Sequence, residues 1–140
     1  MIWRRILHAE ALLFLAWASW LNKFASFDSV MRFGSLNCTC TKSGADFDVR
    51  QFGRIVESVG RRVHFRAVCI EQGAAAQRML RRRGFDAILH YGIGKSEQGA
   101  LVAHVWVTLG GNDVVGGSEA HRFAEVAQFP RLNPDRQDSY

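Results

Sequence analysis

Two side chains in this sequence have the types and setting for nucleophilic chemistry. Cys69 stands immediately before the alanine-rich run "IEQGAAAQRMLRRRGF", whose spacing predicts a helix from about Cys69 to Arg83. A thiol where a helix begins sits at the positive end of the macrodipole, which favours the thiolate. The free N–H groups of that first turn also suit the oxyanion of a tetrahedral intermediate. His104 follows 35 residues later, in the middle of the apolar run "ALVAHVWVTL". An imidazole on a strand beside the cysteine helix is the base that such a thiol needs, with Trp106 on the same face to keep water away. The plain alternative is a buried thiol and a half-buried histidine, and spacing alone weighs the two equally.

A third group should orient the imidazole. If "GGND" turns a hairpin, pairing sets His104 opposite position 117 or 119. Glu119 then ranks above Asp113, which lies at the turn, and a one-residue slip in register brings in Ser118.

These side chains need a frame. Apolar residues at Ile2, Ile6, Leu13, Trp17, Trp20, Leu21 and Phe24 fit the packed stripe of a first helix running to about Phe27. A signal peptide and a membrane-surface helix are the lesser readings of this segment, which is too short in its apolar part to span a bilayer. Trp3, Trp17 and Trp20 belong to the core or to a docking face. Val30 to Arg32 add a short turn, and Phe33 to Asp46 form a loop. Asp46 or Asp48 caps a second helix to about Val63, with Phe52, Ile55, Val56 and Val59 inward. "RRVHFRAV" is the extended approach to Cys69. After the cysteine helix, Gly84 suits a left-handed cap, and Arg81, Arg82 and Arg83 suit the negative end of the dipole. The period then changes to two, in "FDAILHYGIG" and in "ALVAHVWVTL". Helices first and antiparallel strands after make an α+β fold.

Composition narrows the function classes. The chain has 140 residues, with 18 Lys plus Arg against 13 Asp plus Glu. That excess of +5 permits an acidic partner without demanding nucleic acid. Three cysteines do not make a disulfide framework, so free thiols in a reducing, cytoplasmic setting are expected. Cys38 and Cys40 form C-x-C without a partner pair, and tetrahedral zinc needs four ligands. His8, His64, His90 and His121 lack ligand spacing. We therefore expect no metal and no cofactor. Residues 1–130 read as one domain and 131–140 as a polar, disordered tail.

"AEALLFLAWASWL", "CIEQGAAAQRMLRRRGFDAILHYGIGK" and "AHVWVTLGGNDVVGG" followed by "RFAEVAQFPR" together resemble the transglutaminase-like leader peptidases of lasso-peptide biosynthesis. The resemblance covers nearly the whole chain and implies a papain/transglutaminase-like fold and a cysteine peptidase. It maps the nucleophile onto Cys69 and the base onto His104. Many relatives carry an aspartate after the hairpin where this chain has Gly116 or Gly117, so Glu119, a backbone carbonyl or no group at all remains for the third role. The resemblance further implies a lasso precursor peptide as substrate, a separate leader-recognition protein and a separate ATP-dependent cyclase as partners. No leader-recognition domain is expected ahead of the first helix. The rival readings are a transglutaminase-like acyl transferase, a non-catalytic peptide-binding relative, and a small basic module for nucleic acid or membrane surfaces.

Overall fold

A computed structural model describes residues 2–35, 48–62 and 69–130. Four helices come first: α1 (Ile2–Phe24), α2 (Phe27–Gly34), α3 (Val49–Arg62) and α4 (Cys69–Arg82). Strands β1 (Ile88–Lys95), β2 (Leu101–Leu109) and β3 (Asn112–Val115) follow, then a 3₁₀ turn (Gly117–Arg122) and β4 (Ala124–Phe129). The strands make an antiparallel sheet in the order β3-β2-β1-β4, so the expected α+β architecture is observed.

Helix α4 is the centre of the molecule. It packs against α1 and α2 on one side and β2 on the other. Ala74, Ala75 and Ala76 are fully buried, because small side chains let neighbours approach from every direction. Toward the sheet the close approach falls at Gly73, where a Cβ would come 3.0 Å from Val105 Cγ2. Gln77, also fully buried, donates from Nε2 to Ala87 O at 3.1 Å and to Phe129 O at 2.7 Å, tying the helix to the start of β1 and the end of the edge strand β4.

The helix stops as its sequence requires. Gly84 takes φ +88°, Phe85 N donates to Leu80 O, and Gly84 N donates to Arg81 O, the paired bonds of a Schellman cap. The three arginines beside it do more than suit the dipole. Arg82 and Arg83 both bind the Glu10 carboxylate of α1, and Arg81 binds Asp86 at 2.9 Å. An arginine run that resembles a nucleic-acid patch in the sequence is held in intramolecular pairs.

Two expectations are corrected and one strand is added. In α1 the buried positions are Leu7, Glu10, Ala11, Leu15 and Ala18. Most of the expected stripe points outward, and Trp3, Trp17 and Trp20 are about half exposed and not core. The narrow Leu/Ala face wins because it alone can lie close on α4. The short turn at Val30 is two turns of helix, started by Ser26, whose hydroxyl accepts from Ser29 N at 3.2 Å. Strand β4 is an addition, pairing with β1 along the edge away from β2.

Asp48 caps α3 as expected, accepting from Gln51 N at 3.0 Å. The loop around Cys38 and Cys40, the approach from Val63 to Val68, and the tail 131–140 lie outside the described residues. Among those described, no helix is long and apolar enough to cross a membrane, and no three potential metal ligands cluster.

Candidate active site

Cys69 is the first residue of α4, half-buried and not in a disulfide. Behind it in the same turn, Glu71 is buried and accepts from Asn22 Nδ2 of α1 at 3.2 Å, so it joins two helices as well as sitting near the dipole. Gln72 lies against Gly60 of α3, where a Cβ would meet its amide at 2.6 Å.

His104 lies on β2 opposite Gly92 of β1. Its neighbour Val105 points inward to Gly73, so the ring starts on the other face of the sheet. There it stands between two aromatic side chains, with Phe123 at 4.9 Å and Trp106 at 6.1 Å between centroids. Trp106 stacks in turn on His90 at 5.4 Å and 8°. The His90 ring is fixed on both sides, by the Glu125 carboxylate at Nδ1 and by Thr108 Oγ1 at 2.8 Å from Nε2.

Among the described residues the His104 ring has one hydrogen-bond partner. Its Nε2 donates to Gly116 O at 2.9 Å. A carbonyl only accepts, so Nε2 carries the proton and Nδ1 of the neutral ring is left as an acceptor. No hydrogen bond joins Cys69 to His104 among the described residues.

The hairpin turns at Gly110 and Gly111, at φ +58° and +81°, both positive as a two-residue type I′ connection demands. Pairing ends early, however. A bulge follows Val107, β3 stops at Val115, and Gly116 at φ +74° takes the chain off the strand. Position 117 and position 119 therefore never face His104 in a ladder. Glu119 is exposed and binds Arg122 at 2.9 Å, while the group on the imidazole is the Gly116 carbonyl. A side chain at 116 would be strained by its φ and would meet Val105 O at 2.7 Å. An aspartate at this point has no room without a different backbone. Asp113 folds its side chain against Gly117, which makes space for it.

One residue escaped the sequence reading. Glu57 of α3 reaches Gly116 N at 3.4 Å, a long hydrogen bond to the residue whose carbonyl holds His104. Its signal was the spacing of Gly53, Glu57 and Gly60, which puts all three on one face of a helix. Gly53 lets α3 close on Val114 O, Glu57 meets Gly116, and Gly60 meets Gln72. Two turns of one helix, about 10 Å, thus link the segment holding His104 to the first turn after Cys69.

A family model described as the transglutaminase-like superfamily matches residues 11–128, a span that takes in Cys69, His104 and all four strands except the last residue of β4. No curated protein and no solved structure matches the chain.

Proposed function

The chain belongs to the transglutaminase-like superfamily, and we propose that it is a cysteine peptidase that removes the leader from a ribosomally made lasso-peptide precursor before macrolactam cyclisation. Its superfamily commonly consists of cysteine-dependent enzymes. The observation that carries the reading is the α3 ridge, which ties the first turn of the Cys69 helix to the segment gripping the His104 ring.

Cys69 Sγ, as thiolate, attacks the carbonyl carbon at the leader–core junction. N–H groups at the start of α4 receive the oxyanion. His104, protonated at both nitrogens, gives its Nδ1 proton to the leaving amine. The neutral ring then takes a proton from water, whose oxygen attacks the thioester and releases the leader acid. Gly116 O keeps the Nε2 proton in place throughout, so Nδ1 does the transfer. This route requires the sulfur and the imidazole, which share no hydrogen bond in the described residues, to meet when substrate binds. The expected partners are the precursor peptide, a separate leader-recognition protein and an ATP-dependent cyclase, all cytoplasmic.

Mixing the protein with a precursor peptide and its leader-binding protein should release a leader fragment. Cys69→Ala should reduce that cleavage by at least about a thousandfold, with an unchanged circular dichroism spectrum. Iodoacetamide should label Cys69 faster than Cys38 or Cys40, and His104→Ala should remove the difference. Undiminished cleavage by Cys69→Ala rejects the mechanism.

A further inference from the structure

The outward face of α1 carries a continuous apolar stripe that stays largely exposed among the described residues. Ile2, Ile6, Leu13, Trp17, Trp20 and Phe24 are each between 48% and 76% exposed. Their steps of four, seven, four, three and four residues hold them to one side of the helix, over a length of about 33 Å.

The charge around the stripe has one sign. Arg4, Arg5 and Lys23 are exposed on α1 itself. From α4, Arg78 stands over the Trp17 ring at 5.0 Å, Arg83 over the Trp3 ring at 5.7 Å, and Arg82 is 62% exposed. The one acid of α1, Glu10, is 9% exposed and bound to Arg82 and Arg83. The helix therefore offers tryptophans, aliphatics and cations, and no free carboxylate.

We propose that this face of α1 lies on an anionic lipid surface. Trp17 and Trp20 sit at the level of the headgroups, Leu13 and Phe24 reach the acyl boundary, and the exposed Arg5 and Lys23 meet lipid phosphates. A second copy of the chain is a poorer occupant. Two α1 helices packed antiparallel about a two-fold axis would set Arg4 and Arg5 of one against Lys23 of the other, with no free carboxylate of α1 to offset them. An anionic bilayer supplies the missing negative charge.

The test uses the full chain with two kinds of vesicle, phosphatidylcholine alone and an equal mixture with phosphatidylglycerol. Co-sedimentation with the mixed vesicles, a blue shift of tryptophan emission and weakening by salt are expected, with little binding to phosphatidylcholine alone. Replacing Arg5 and Lys23 together by Gln should weaken binding roughly tenfold. The double variant Leu13→Gln, Trp20→Gln should abolish it while the far-ultraviolet spectrum stays native. Absence of binding to mixed vesicles overturns the proposal, as does equal binding to both kinds. A concentration-dependent dimer in ultracentrifugation that the Leu13→Gln, Trp20→Gln variant dissolves, without lipid binding by the parent, assigns the face to a second copy instead.

Discussion

Helices α1 and α4 solve the same packing problem in opposite ways. Helix α4 is the more polar by composition yet is buried on nearly every side, because Gly73 and Ala74 to Ala76 leave room for the sheet and for the other helices. Helix α1 carries the larger apolar side chains yet buries only Leu7, Ala11, Leu15 and Ala18, with Glu10 beside them. Size, more than hydrophobicity, decides which face goes inward when a neighbour must come close. The apolar residues left outside α1 are then free for another role, whereas α4 has little spare surface beyond its two ends.

That contrast predicts a graded response to substitution. Glu10→Gln removes the carboxylate shared by Arg82 and Arg83, leaving a mostly buried guanidinium short of its partner. It should cost about 3 kcal/mol, read from urea unfolding, and a loss below about 1 kcal/mol would show that α1 needs no ionic tie to α4. Gly73→Leu should cost about 1–3 kcal/mol by forcing atoms into Val105 and Leu89, despite its better helix propensity. A stable, unshifted Gly73→Leu would mean that α4 is less tightly enclosed than its neighbours imply. Leu13→Gln, on the outer face of α1, should change stability by no more than about 0.5 kcal/mol. A large loss there would show that the outer stripe is covered within the folded chain.

How much of this the sequence discloses depends on how local the signal is. The limits of α4 were legible because Gly84 and the alanines act within one helix. The turn at Gly110 and Gly111 was legible because two consecutive glycines suit two positive φ angles. The inward face of α1 was not, since large apolar residues surround the helix and only the breadth of the opposing surface selects among them. Strand β4 was hidden for a related reason. In "AEVAQF" the alternation is weak, and Ala124, Glu125 and Val126 are exposed in the folded strand. The third group at the site was legible only as one of several alternatives, for a different reason. Side-chain patterns led to Glu119, whereas the grip on His104 comes from a main-chain oxygen that no residue type announces.

The grip of Gly116 on the imidazole has a consequence for acid conditions. A carboxylate in that role would take up a proton as the medium acidified and would then loosen its hold, so ring alignment and proton supply would fail together. An amide oxygen has no proton to take up in that range, so the hydrogen bond that aligns the His104 ring does not depend on the ionisation of its partner. The same arrangement forgoes the negative charge that a carboxylate would set beside the ring.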